Sequence, residues 1–538
     1  MKLFKFLRYT VVALTLLVGL ASCGEDFLDR PPLDTIVDAN YFKTSEEVLS
    51  ATAPLYSRTW FGYMDKASFA IGDGRAGIYR GGWASYVQHD IASTDEQVRY
   101  SWYAFYSSIG QCNAVIRNIN TYASADVPAA IKKHGIAEAR FMRGVAYLHL
   151  VRLWGAVPIL ENNIKVLTDT TITRNTTESV YEFIIRDFRY AAKNLPETPI
   201  HPGRLTRWAG EGMLAKAFLA LASEKGSGGS RDQVSLDSAK FYAGSVCKNS
   251  DLDLLPAYKD LFLTKNDNNA ESLAALQWIH NGNYGSGNPI ASQLAFSSNI
   301  TGTGDGWGGG HGATAELVKY YVSNQRDSLR RKATFMFTGD YYDYIHEIMP
   351  DGKTEAPLMV KNKNANIKKY IPGLASDNDG QVARQANGNN TYILRLAEVY
   401  LMYAEAILGN NASTADEEAL TYFNLVRLRA GMPELASISF LDILNEKRVE
   451  FAMEHMFWYE LVNWYNFDPS EMKAYVNSQD RGVPTVELIV GSDPKQWSAT
   501  YSSETYTLTD SDVMLPYPEV ELARAPNLKK EPTPYNFD

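Results

Sequence analysis

Cysteine is scarce in this 538-residue chain: there are three, at positions 23, 112 and 247, and none stands in a C-x-x-C pair. A disulfide framework is therefore excluded. Cys112 falls in the helical-looking stretch 107–119, where a small buried hydrophobe is the expected role. Positive charge is also short. With 52 Lys+Arg against 62 Asp+Glu the formal net charge is −10, and it is −13 once the first 22 residues, which carry Lys2, Lys5 and Arg8 and no acid, are set aside. Such a body lacks the basic face that a reader of phosphate backbones needs, so nucleic acid is not an expected partner. Long apolar runs are missing too. Val11 to Leu20 supplies ten residues, about half of the roughly 20 that a membrane-spanning helix requires. What the chain has is 45% hydrophobic and 21% charged residues, the balance of a globular protein, and an unusual wealth of flat amphipathic rings, with 33 Tyr and 10 Trp.

The basic start and short apolar stretch read as a signal peptide over residues 1–22, excluded from the fold. It ends Leu20-Ala21-Ser22-Cys23, which resembles a bacterial lipobox, where cleavage precedes the cysteine and lipid is attached to it. Two or more acyl chains on Cys23 suffice for stable anchoring without a spanning helix. Gly24-Glu25-Asp26 resembles the acidic signal that sends lipoproteins of Bacteroidetes to the cell surface. The expectation is a mature body, residues 23–538, held at the outer membrane by its N-terminal lipid alone and facing the exterior.

Apolar residues at Ile393, Leu396, Ala397, Tyr400, Leu401, Ala404, Ile407 and Leu408 predict a helix over 391–408, stopped by Gly409-Asn410. Thr414 to Glu417 reads as a capping box opening a second helix to about Ala430. Similar pairs are predicted at 102–118 with 131–154 and at 179–195 with 205–223, and a further helix over 441–465. Paired helices within about 40 residues match tetratricopeptide-type units, which bury a continuous core by stacking. Helical repeats are thus expected over about 100–250 and 391–465, with loop-rich stretches at 61–94, 255–390 and 482–538. Loops this long are usually functional surfaces.

Catalytic constellations do not assemble. Two G-x-G-x-x-G matches, Gly72 to Gly77 and Gly304 to Gly309, lack the strand–turn–helix setting of a dinucleotide site. Asp351 to Thr354 imitates a phosphate loop without its first Gly, and Ser376 to Gly380 sits in a frame with Ala375 and Ala386 at two ligand positions of a calcium loop. His346-Glu347 has no second His at zinc spacing. Glu446, Glu450 and Glu454 share one helical face, so they cannot straddle a sugar as paired glycosidase acids. Arg427, Arg429 and Arg448 nearby make structural ion pairing the reading.

Several segments together resemble the SusD/RagB family of nutrient-binding outer-membrane lipoproteins. They are Cys23 to Asp29 with Pro31; Glu138 to Arg143 running to Leu153-Trp154-Gly155-Ala156-Val157-Pro158; Gly203 to Thr206; Leu394 to Leu401 with Ala404-Glu405-Ala406; Asn424 to Gly431; Glu446 to Phe451; and Leu515 to Pro518 with Asn527-Leu528. The blocks occur in family order over nearly the whole chain. One departure is Trp458 to Tyr465, where Glu460 and Asn463 replace the usual Asp and Arg. The resemblance implies a mainly α fold: a helical body with four tetratricopeptide-like pairs and loop-rich insertions that carry the ligand site. It implies a non-enzymatic protein that captures a glycan and passes it to a SusC-like TonB-dependent transporter, with no cofactor or metal. The alternatives are a surface glycoside hydrolase or a tetratricopeptide-type protein-interaction module. The family offers no motif by which individual site residues transfer, so candidates follow from sugar chemistry, in which apolar ring faces lie on Trp and Tyr while hydroxyls bond to polar side chains. Three loop clusters qualify: Asp73, Arg75, Tyr79 and Trp83; Trp278, His280, Asn281 and Tyr284; and Trp307.

Overall fold

A computed structural model describes residues 41–538 apart from 167, 168, 170, 281, 282, 353 and 538. The signal segment, Cys23 and Asn281 therefore lie outside the described residues. The body is built on helices α1 (Glu96–Tyr122), α2 (Ala129–Trp154), α3 (Thr177–Asn194), α4 (Arg207–Glu224), α5 (Gln233–Asn249), α6 (Leu396–Leu408), α7 (Glu417–Arg429), α8 (Phe440–Glu450) and α9 (Phe457–Phe467). Each helix from α1 to α7 packs on the next, α5 on α6 across the long insertion between them, and α8 packs on α6 and α9. α1 starts where the Asp95 carboxylate accepts the amides of Gln97 and Val98. α3 buries the stripe Val180, Phe183, Ile184, Asp187, Phe188 and Ala191 and turns the Glu182–Arg186 pair outward. α2 and α4 are buried on nearly every side, as expected of helices central to a stack.

Arginines in or just before the second helices, Arg140 and Arg143 in one pair and Arg204 and Arg207 in the other, are partly explained by clamps between helices. Arg143 of α2 grips Asp187 of α3 with two hydrogen bonds of 2.8 Å. Arg204, just before α4, donates at 2.9 Å to Glu138, which also accepts from Thr52 and Tyr56. These are bidentate and shared-carboxylate clamps between neighbouring helices.

Three expectations need correction. Residues 391–395 form a strand, not the first turn of a helix: Thr391–Arg395 pairs antiparallel with Ser272–Leu276. Its β-branched Thr391 and Ile393 favour a pleated strand, while the apolar spacing happened to satisfy both periods. The cap of α7 is Asp416, which accepts from Glu418 and Ala419, whereas Thr414 pairs with Ile438. The predicted helix over 441–465 is two helices. Between them Met453 and His455 take positive φ, and both donate their backbone amides to the Asp73 carboxylate at 3.1 Å. Gly72 is required beside this break, since a Cβ there would stand 2.1 Å from the carbonyl oxygen of His455. Glu460, at the family departure, is paired at 2.6 Å with Lys447, which also holds Glu405.

At the middle of the molecule lies a buried ion network. Arg395 bonds Glu271, Glu450 and Glu454; Arg330 bonds Asp327, Glu446 and Glu450; Arg429 bonds Glu271 and Glu450; Lys369 bonds Glu454; and Arg427 bonds Glu446. The three carboxylates on the predicted face are thus structural. Arg448 is the exception among the expected partners, since it lies 3.8 Å from Glu316 instead. Burial pushes the Glu450 carboxyl up, and Arg429, Arg395 and Arg330 more than reverse this, holding it at about 2. Because the unfolded chain binds this proton more readily, stability rises with pH between these values. Full stabilisation is present above the ordinary Glu range and is lost as pH falls through it toward 2, by about 3 kcal/mol for this group. Thermal melts from pH 6 down to pH 3 should show a falling midpoint; a flat profile would contradict the network's role.

Candidate functional site

Two loop-rich stretches meet at a short helix, Ile290–Leu294, which is buried along its length. The backbone carbonyl of Ser292 accepts the amide of Trp307 at 3.0 Å, and Gly308 donates to Ala295 at 2.8 Å. A Cβ at Gly308 would stand 2.2 Å from the Leu294 oxygen, so only glycine allows the loop this close. Asp305, buried, gathers the loop by accepting from Ser292, Thr303 and the amide of Gln385. The Trp307 ring, with few side chains around it, remains 48% exposed.

The next residue of the helix, Gln293, donates to Asp65 at 3.0 Å, and the other oxygen of Asp65 accepts the Tyr284 hydroxyl at 3.1 Å. The Tyr284 ring meets Phe61 edge-on at 4.7 Å and is 64% exposed. Burial raises the Tyr284 hydroxyl to about 12, with the negative Asp65 adding to the effect. Asp65 itself is raised by burial. On the other flank His311 follows the Trp307 loop. The amide of Gly82 donates to its Nε2 at 3.2 Å, which leaves the proton on Nδ1 as the donor to Tyr79 Oη at 3.1 Å. Burial lowers the His311 pKa, consistent with this neutral tautomer. Trp83, half-buried, rests against His311 at 5.6 Å and Phe69 at 5.1 Å.

Trp83, Tyr284 and Trp307 are thus each partly open to solvent and tied through neighbouring residues to the helix Ile290–Leu294 or to the loop that follows it. Other sequence candidates do not join them. Asp73 is fully buried and caps the α8–α9 break. Arg75 is fully buried over the Trp458 ring at 4.0 Å, bonding the carbonyls of Asp512 and Val513. Tyr79 is fully buried and orients His311 from behind. Trp278 is 6% exposed with its indole N–H on Thr391 at 2.9 Å, as a core residue should be. His280 is exposed beside the undescribed Asn281. The stretch 61–94, expected as an exposed loop surface, is mainly core, with its glycines serving close packing. Asp65, Gln293, Asp305 and His311 escaped sequence reasoning because only the fold brings them under the rings.

The expected consequence is that Asp65 acts through Tyr284. Asp65→Asn should weaken ligand binding about as much as Tyr284→Phe, and the double variant no further, because partners in one contact are not additive. Titration calorimetry with thermal melts checks this; full additivity would separate the two residues.

A helical scaffold presenting an open aromatic surface defines a class of binding architecture. This chain belongs to the SusD family: the family model described as "SusD family" matches residues 270–534, and one described as "Starch-binding associating with outer membrane" matches 26–219. It is 40% identical to a SusD-like protein of Bacteroides ovatus, covering 100% of both chains, and 25% identical to SusD-like protein P2 of Formosa agariphila, covering 84% of this chain and 90% of that one. Among solved structures, it is similar to a crystal structure with xylogluco-oligosaccharide, at 38% identity and TM-score 0.82, covering 91% and 99% of the two chains. A laminarin-binding SusD-like protein shares the fold at 19% identity and TM-score 0.66, with 89% and 98% covered. No helix among the described residues is long and apolar enough to cross a membrane.

Proposed function

We propose that this protein captures a glycan on the patch of Trp83, Tyr284 and Trp307 and delivers it, without chemical change, to a TonB-dependent transporter of the outer membrane. The observation that carries the reading is the pair of solvent-open rings beside one short helix: Tyr284 is tied through Asp65 to Gln293, and the backbone amide of Trp307 donates to Ser292. Exposed rings with fixed orientation offer stacking area at little entropic cost, which suits sugar faces. A xyloglucan-type oligosaccharide is the first ligand to test, because a protein 38% identical to this one was crystallised with one. In this reading Cys23 carries the lipid, the body faces the exterior, and residues 23–538 work as one unit whose helical face meets the transporter.

The test is calorimetry of the soluble body with xylogluco-oligosaccharide, laminarin and starch fragments, alongside an assay for new reducing ends. Saturable binding with no new ends is expected; cleavage would favour the hydrolase, and failure to bind any glycan would favour a protein-interaction module. In cells, Cys23→Ala should move the protein out of the membrane fraction, and the native form should co-purify a large β-barrel.

A further inference from the structure

Away from the aromatic patch, a cleft of about 910 Å³ opens between the 256–259 segment, the helix Ser328–Thr334, the start of the strand Tyr341–Ile348 and the loop 494–497. That volume falls within the roughly 300–1,000 Å³ typical of pockets for whole small ligands. The strand separates the two sites. Its far end, Ile348, four residues beyond Tyr344 at the cleft, donates to the carbonyl of Asn299 just before the glycine-rich loop.

The lining inverts the charge of the molecule. Across the chain acids exceed bases by ten, yet the cleft is lined by Lys259, Arg326, Arg331, Lys332 and Lys495 against Asp340 and Asp343. Arg331 is spent on Asp340 and is packed between the Phe337 and Trp497 rings. Lys259 is paired with Asp260. Arg326, Lys332 and Lys495 have no carboxylate within ion-pair distance among the described residues. Lys495 bonds only the carbonyl of Gly339, and Lys332 stands 5.2 Å from the centre of the Tyr342 ring. Flat and apolar surface accompanies these cations: Tyr341 is 43% exposed and Leu329 55% exposed, with Tyr344 half-buried beside them. Directly behind Tyr344, Lys368 is buried with its ammonium on the carbonyl of Ile371 and no carboxylate partner among the described residues. Among the described residues, three unpaired cations, Arg326, Lys332 and Lys495, thus outweigh the one unpaired lining carboxylate, Asp343, which suits an occupant with negative charge and a face that packs on tyrosine.

We infer that this cleft is a second binding site for an acidic saccharide, a segment bearing uronate carboxylates, held by Arg326, Lys332 and Lys495 with a ring face on the exposed Tyr341. The choice of a sugar over other anions rests on the glycan-binding reading; the site itself is independent of the aromatic patch. Carboxylates gain charge-assisted hydrogen bonds from these cations, while Tyr faces accept C–H surfaces whatever the charge.

The experiment uses the full soluble body and four probes in calorimetry at 50 and 300 mM NaCl: a trimer of galacturonic acid, its methyl ester, a neutral glucose trimer and triglutamate. The uronate trimer should bind at least tenfold more tightly than its ester or the neutral trimer, and more weakly at the higher salt. Lys332→Met and Arg326→Gln, both at exposed positions, should each reduce that affinity three- to tenfold with unchanged melting, whereas Trp307→Ala should leave it intact. If the aromatic patch failed as a glycan site, Trp307→Ala would leave neutral glycan binding unchanged, yet the uronate result would still stand or fall by the lysine and arginine variants. Equal binding of acid and ester, no uronate binding, full retention by the Lys332→Met, Arg326→Gln double variant, or preference for triglutamate would each overturn the inference.

Discussion

Arg395→Met is expected to lower folding stability by about 3–5 kcal/mol, the usual cost of removing one partner from a buried charge cluster. The guanidinium is fully buried and bonds three carboxylates, those of Glu271, Glu450 and Glu454. Methionine fills much of the space but leaves these acids facing one another with Arg429, Arg330 and Lys369 as the remaining cations. The deficit should shrink as pH falls, because protonating the stranded acids relieves their repulsion. Urea titrations at pH 7 and pH 4.5 measure both effects. A variant as stable as the parent at pH 7 would show that the cluster only fills space.

Trp307→Ala and Trp278→Ala should fail in opposite ways. Trp307 is half open to solvent and anchored through its backbone, so its loss should leave the melting midpoint in place. If its ring is a binding anchor, affinity falls by about 2 kcal/mol, roughly thirtyfold in Kd. Trp278 is buried with its indole N–H paired, so truncation opens a cavity and strands the Thr391 hydroxyl. That change should cost about 3–5 kcal/mol of stability. Melts and glycan titrations of both variants decide the matter. A destabilised Trp307→Ala, or one with unaltered affinity, would remove Trp307 from the site.

Much of the helical body was legible because its signals are local. The stripe of α3 and Gly409 after α6 act within a few residues, whereas the start of α1 at Glu96, capped by Asp95, lies six residues before the predicted one. Where the sequence misled, a distant partner had the deciding influence. Glu446, Glu450 and Glu454 keep helical spacing through the α8–α9 break, since nothing local reveals that Asp73 takes the amides of Met453 and His455. Thr391 to Arg395 satisfies a helical stripe until the 272–276 strand arrives to pair with it. The same holds for the aromatic patch. Glycine-rich surroundings pointed to Trp307 and Tyr284, but glycines around Asp73, Arg75 and Tyr79 serve tight packing instead, and that distinction requires the neighbours.

The Asp73 clamp also sets an order of assembly. It joins residues 380 and 382 positions apart, and Arg75 reaches still farther, to the carbonyls of Asp512 and Val513. Trp154 at the end of α2 likewise donates to the carbonyl of Pro516. A chain that leaves the ribosome N-terminus first exposes the 61–94 segment long before the residues that seal it exist, and such distant closures are the slow ones. The first helices can pair early, but the segment that holds Asp73 and Arg75 must wait for residues 453–513. Maturation of the proposed ligand site would thereby be coupled to synthesis of residues 453–516: a product truncated before Met453 keeps its early helices and lacks the closures at Asp73 and Arg75.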